Sequence, residues 1–174
     1  IDSGNFILYA KGVRWIYDLG SDNYNAYNYF NNSWRYKLYR KNAEGQNLVF
    51  LTSQQVKVPY GLSTDGNGEI IDFYSGEYGS YSILDNTSSF GGFAVFARRG
   101  MMMTNNRETV VLQDEITFSS VESVCWLIHT RSTVNGISAD GRTACLSHKS
   151  GGTTYFLRAT IVSESDRYKF VELG

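Results

Sequence analysis

Between residues 13 and 50 the chain reads VRWIYDLGSDNYNAYNYFNNSWRYKLYRKNAEGQNLVF, with rings at Trp15, Tyr17, Tyr24, Tyr27, Tyr29, Phe30, Trp34, Tyr36 and Tyr39. Asn, Asp, Ser and Arg separate these rings where a core segment would carry aliphatics. A buried phenol or indole needs a polar partner, so the mixture makes a poor core. It suits the wall of a site for a hydrated ligand such as a sugar. The C–H faces of a sugar lie on rings while its hydroxyls reach side chains and water. Tyr24, Tyr27, Tyr29, Trp34, Tyr36 and Arg40 are the candidate binding residues. Tyrosine is also a good strand former, and a β-protein that uses it so would show the same composition.

Few other residues are placed to do chemistry. Asp18 comes just before Leu19-Gly20, where a strand gives way to a loop and a rigid element can present a carboxylate. Capping that turn is its alternative role. His129, in CWLIHT, alternates with Leu127 and Cys125 and reads as a satisfied sheet or core histidine. His148, beside Lys149 at a turn, reads as a solvated surface residue. Asp114 and Glu115 are adjacent in a strand and point to opposite faces, so they cannot form one acid–base pair. Carboxylates at such a strand start usually partner a sheet-edge Arg or turn amides. Neither G-x-S-x-G nor H-E-x-x-H occurs. Cys125 and Cys145 form no C-x-x-C motif and are expected to be buried free thiols. Sequons begin at Asn31 and Asn86.

The elements that must position these residues are strands. Residues 5–10 and 13–18 form a hairpin about Lys11-Gly12, a two-residue turn signal. The link 21–33 is polar and turn-prone. Residues 34–40 alternate Trp34, Tyr36 and Leu38 against Arg35, Lys37 and Tyr39, which predicts a strand with one aromatic face. Further strands are expected at 47–52, 54–58, 70–74, 93–99, 100–103 and 109–113, with a loop at 61–68 and a weakly periodic segment over 75–92. The last third reads as a meander of strands at 121–130, 134–138, 142–149 and 153–162, with turns at Asp140-Gly141 and Ser150-Gly151-Gly152. A final strand is expected at 168–172. No stretch has convincing helical periodicity. Many short strands with frequent turns predict an all-β antiparallel sandwich with little or no helix.

A chain of 174 residues can bury one sizeable core, and a single domain over 1–174 is expected. The net charge of −1, with no Lys/Arg block, argues against nucleic acid as a partner. No apolar run approaches the ~20 residues of a membrane-spanning helix. Arg14, Arg35, Lys37, Arg40 and Lys41 nevertheless cluster in sequence around the aromatic link.

These stretches together resemble the β-domain of the heparinase II/III-like polysaccharide lyases. GNFILYAKGVRWIYDLG resembles that family's strand pair ending in Asp-x-Gly, followed here by a tyrosine-rich link. WRYKLYRKNAEGQNLVF resembles its Tyr…Arg…His-Asn-Thr strand. ARRGMMM, TVVLQDEITF and VCWLIHT resemble its Arg-containing, Asp-Glu and Trp-x-x-His-Thr strands. The resemblance implies β-elimination on an acidic, uronate-containing polysaccharide by a secreted or periplasmic protein. It also implies a partner that this chain lacks, an N-terminal helical toroid carrying the main catalytic groups. No catalytic residue is therefore assigned here. The chain is expected to be part of a longer polypeptide and inactive alone, supplying one wall of the cleft. A non-catalytic glycan-binding or structural domain is the alternative. The family's divalent metal, typically zinc, takes an Asp that matches Asp18 and a His that is replaced here by Gln46. Glutamine is a poor zinc ligand beside imidazole. An oxygen-binding cation in the parent, or none, is then equally compatible, and no cofactor is expected in this chain alone.

Overall fold

The computed structural model describes residues 2–53, 56–60, 66–119 and 123–173. The chain is all-β, with antiparallel pairing throughout and, among the described residues, no helix longer than four residues. No described helix is long and apolar enough to cross a membrane. The chain divides into two compact units. One holds the N-terminal residues through Phe6 with Asp18–His129; the other holds Ile7–Tyr17 and the residues from Thr130 onward.

The first unit contains two sheets. A three-stranded sheet has the order β4–β3–β9, with β3 at Val49–Ser53, β4 at Val56–Tyr60 and β9 at Ser123–Trp126. A four-stranded meander runs β5–β6–β7–β8, at Glu69–Ser75, Ser80–Asp85, Ala94–Thr104 and Thr109–Phe118. Leu51 of β3 packs with Phe90, Ala94 and Ala97, and Ile116, Phe118 and Val124 close around them. Burying these apolar faces against each other is what makes the pair of sheets a sandwich. The β7–β8 turn places Asn105, Asn106 and Arg107 in the left-handed region, at φ 52°, 53° and 64°. Asparagine tolerates that region well. Arg107 offsets its strain by donating to the Gly76 and Glu77 carbonyls at 2.6 and 3.4 Å.

Arg99 lies within this unit at 3% exposure. Its Nε and Nη2 donate to Asp114 of the neighbouring strand at 2.8 and 2.9 Å. Its Nη1 donates to the Gly4 and Asn47 carbonyls at 2.7 and 2.8 Å. A buried guanidinium is tolerated when its donors are matched in this way.

The second unit carries the hairpin β1–β2, at Leu8–Ala10 and Val13–Ile16, and a meander β10–β11–β12. These last strands run Thr133–Ile137, Thr143–Ser150 and Thr153–Thr160. Lys11 and Gly12, at φ 54° and 75°, form the expected two-residue turn, as do Gly151 and Gly152 at 56° and 83°. Val13, Trp15, Ile16, Ala144 and Leu146 are its buried apolar residues.

The fold departs from the sequence reading at several points. Residues 34–40 are not a strand: one α-helical turn, Asn32–Arg35, and one 3-10 turn, Tyr39–Lys41, stand there. Local bonds such as Arg35 N–H to the Asn31 carbonyl and Lys41 N–H to the Leu38 carbonyl satisfy the backbone without a neighbouring strand. The segment 75–92 hides β6 and a 3-10 turn, Thr87–Phe90. β7 runs unbroken in place of the two abutting strands expected at 93–99 and 100–103. β9 stops at Trp126, well before residue 130. Residues 168–172 form no strand. Upstream of them, Arg142 donates to the Ile161, Ser163 and Ser165 carbonyls, which turns the tail's acceptors toward a side chain. Residues 54 and 55 of the expected 54–58 strand, 61–65 of the expected loop, and 121 and 122 of the expected 121–130 strand lie outside the described residues.

Candidate functional site

Asp18 follows β2 by two residues and is half-buried. Its Oδ1 accepts the Gly20 N–H at 2.6 Å, the local bond expected of an aspartate before a glycine turn. Its Oδ2 accepts from Asn5 Nδ2 at 2.5 Å. The same nitrogen donates to Gln46 Oε1 at 2.7 Å. Gln46, 6% exposed, ends the 3-10 turn Ala43–Gly45 just before β3. Its Nε2 donates to the Arg40 carbonyl at 3.0 Å. Arg40 Nη1 donates in turn to the Leu19 carbonyl at 2.6 Å. The family resemblance implies that Asp18 and Gln46 belong to one site. The structure brings them together and adds Asn5, which sequence reasoning did not single out.

A second knot lies beside the first. Asn47, fully buried, donates from Nδ2 to the Phe6 carbonyl at 2.8 Å. Its Oδ1 accepts the His129 backbone N–H at 2.7 Å and lies 3.3 Å from His129 Nδ1. With Asn47 oriented by Phe6, its oxygen faces the imidazole, so Nδ1 carries the proton and Nε2 is the free acceptor. Tyr39 Oη lies 3.0 Å from that Nε2 and donates to it. Burial holds the His129 pKa below its ordinary value, against the opposing pulls of a hydrogen bond to the Glu44 backbone and of the Asp18 charge. Burial and the Glu44 charge hold the Tyr39 phenol above its ordinary value. Both groups are neutral near pH 7, with a proton donor exposed at the surface and an acceptor behind it. His129 is satisfied, as expected, but it stands beyond β9 in a loop. Nothing in the sequence paired it with Tyr39, which the strand pattern had placed on a sheet face.

The aromatic link divides into two classes. Tyr24, Tyr27, Phe30 and Trp34 are exposed, Tyr27 to 83%. Tyr27 meets Trp34 edge-on at 6.3 Å, and Lys37 Nζ lies 4.6 Å over the Trp34 ring. Tyr36 is half-buried and Arg40 exposed. Tyr29 is 2% exposed, covered by Tyr24 and Phe30 with ring centroids at 5.0 and 5.1 Å, so it supports the wall from behind. The remaining singled-out residues are structural. Asp114 grips Arg99, which is buried and not at a sheet edge. His148 lies in β11, edge-on to Trp15 at 6.4 Å. Both cysteines are free thiols, but Cys125 is half-buried and Cys145 exposed, short of the full burial expected.

The donor set does not fit the zinc ion that the family resemblance implies. Among the described residues no three of His, Cys, Asp and Glu gather as ligands. The inner oxygens of Asp18 and Gln46 both face an N–H donor, not an open space between acceptors. No family model matches the chain, and no curated protein matches it.

Proposed function

We propose that this chain is the β-sandwich domain of a heparinase II/III-like polysaccharide lyase whose parent cleaves a uronate-containing glycan by β-elimination. In this reading the chain supplies one wall of the cleft and is inactive alone. The supporting observation is the convergence of Asp18 and Gln46, 28 positions apart, on one amide nitrogen, in a chain whose intervening link also exposes several rings. β-Elimination removes the proton next to the uronate carboxyl and protonates the leaving glycosidic oxygen. The carboxylate must be neutralised for that proton to leave. Arg40, exposed and anchored to the Leu19 carbonyl, is the cation at this edge, while Tyr27 and Trp34 offer faces for stacking.

A second reading, a glycan-binding module without catalysis, is favoured by one feature. Gln46, at the position where the family resemblance implies a histidine, is closed off by Asn5. One experiment addresses both. The chain is titrated with heparan sulfate, chondroitin sulfate, hyaluronan and alginate, and the ultraviolet absorbance of unsaturated product is followed. Binding to at least one glycan is expected, weakened roughly tenfold by Trp34→Ala, with no absorbance gain. Failure to bind any of the four sinks both readings. Binding by the full parent without unsaturated product selects the second.

A further inference from the structure

The sense of the hydrogen bonds around Asn5 decides what can stand between Asp18 and Gln46. Asn5 Oδ1 accepts the backbone N–H groups of Phe6 and Asn47 at 3.0 and 2.9 Å. The other end of the amide is therefore its NH2 group, and that group faces Asp18 Oδ2 and Gln46 Oε1. Gln46 is oriented independently, because its Nε2 is committed to the Arg40 carbonyl. Asp18 is oriented by the Gly20 N–H on its outer oxygen. Backbone partners thus fix all three side chains, and two acceptors converge on one donor nitrogen. A cation site needs acceptors alone around the centre.

We infer that the Asn5 amide nitrogen takes the place of a cation, making Asp18–Asn5–Gln46 a metal-independent clasp. The clasp ties the segment before β1 to the loop after β2 and to the residues leading into β3. It goes beyond the lyase reading; the cation it replaces is the one that reading's family resemblance implies, while the clasp itself stands on the hydrogen bonds alone. The Asp18 charge is met by hydrogen bonds from the Asn5 amide and the Gly20 N–H, bonds that a charged acceptor strengthens. The arrangement carries a specific consequence. Asn5→Asp exchanges the donor for an acceptor and leaves two carboxylates and an amide oxygen converging on one point. Without an ion those carboxylates repel. A hard divalent ion, satisfied by oxygen ligands, relieves that repulsion.

The test compares wild type, Asn5→Asp and Asn5→Ala in chelator and in saturating Ca2+, Mn2+ or Zn2+, reading melting temperature and bound metal. Wild type is expected to melt at the same temperature in all four and to retain no stoichiometric ion. Asn5→Asp should melt about 5 °C lower in chelator and recover most of the loss in Ca2+ or Mn2+. Asn5→Ala should fall similarly and recover nothing. One bound equivalent in wild type, with a rise in melting temperature that Asp18→Asn abolishes, would overturn the inference. So would an Asn5→Asp protein indifferent to every ion, or one that folds with none of them while Asn5→Ala folds. If Asn5→Asp folds only when an ion is supplied, the inference stands.

Discussion

Tyr39 and His129, 90 positions apart in sequence, come within 3.0 Å through the phenol oxygen and the imidazole Nε2, and the tautomer set by Asn47 makes the phenol the donor. The backbone of the same histidine is held by Asn47, so the ring position is set by a fully buried residue and its partner by a surface turn. That geometry makes the protonation state of His129 a reporter of the whole edge.

His129 should titrate below the ordinary histidine value of about 6.5, because burial penalises its charged form. Tyr39→Phe removes a donor that favours the neutral ring and should raise that value, which imidazole NMR titration reads directly. In the unfolded chain the histidine takes up its proton at higher pH than in the folded one. Stability is therefore full above the ordinary value and declines as pH falls through the lowered one. His129→Gln should flatten the dependence of the urea midpoint on pH between about 7.5 and about 5. An unchanged slope in that variant would show that His129 does not carry it.

The Arg99–Asp114 pair tests how far the four-stranded sheet relies on a buried ion pair. Asp114→Ala leaves the guanidinium inside the protein with the Gly4 and Asn47 carbonyls as its hydrogen-bond partners among the described residues and the Phe6 and Trp126 rings beside it. The expected loss is about 3–5 kcal/mol by urea denaturation. Replacing both, Arg99→Met with Asp114→Leu, should recover much of it, since an apolar pair of similar size costs no desolvation of charge. A loss below about 1 kcal/mol for Asp114→Ala would place the pair in the class of weak surface bridges.

Most strands legible from sequence have one buried face or a strong turn, although β5, expected at 70–74, is exposed along its length. β1–β2 and β11–β12 follow from Lys11-Gly12 and Gly151-Gly152, because few two-residue turns suit other sequences. β6 was hidden because Ser80, Tyr81 and Ser82 sit on a sheet with substantial exposure, where no apolar alternation is required. Residues 34–40 alternate in character, yet period 2 and period 3.6 are hard to separate over seven positions. There Arg35 lies over Tyr29 and Lys37 over Trp34, contacts that suit turns. The meeting of Asp18 with Gln46 was legible only through the family resemblance. Asn5 and the Tyr39–His129 bond were not, because side-chain pairing across dozens of positions leaves no periodic trace.

Gly100 stands in the middle of β7, paired to Ile83 and Gln113, and no atom of the described residues lies within 4 Å of where its Cβ would be. It borders a groove of about 290 Å³ lined by Tyr81, Ile83, Met102 and Val111. Glycine weakens a strand interior through its backbone entropy, and a β-branched residue fits a pleated surface. Gly100→Val should therefore stabilise the chain by about 0.5–1 kcal/mol in urea denaturation. A destabilised variant would mean that the groove closes on something in the folded state.

Tyr29 and Tyr27 lie two positions apart in the link, and opposite outcomes are expected from changing them. Tyr29 is buried and its hydroxyl has no hydrogen-bond partner among the described residues, an arrangement that costs desolvation without a hydrogen bond in return. Removing only that oxygen keeps the edge-on packing against Tyr24 and Phe30. Tyr29→Phe should thus raise stability by about 1 kcal/mol, whereas Tyr29→Ala opens a cavity and should lower it by about 3–5 kcal/mol. Tyr27, at 83% exposure, meets Trp34 only edge-on, so Tyr27→Ala should move the urea midpoint little. In the proposed glycan-binding reading its effect falls on ligand affinity. If Tyr27→Ala destabilised the chain as much as Tyr29→Ala, the exposed rings would be part of the fold and the wall would lose its binding face.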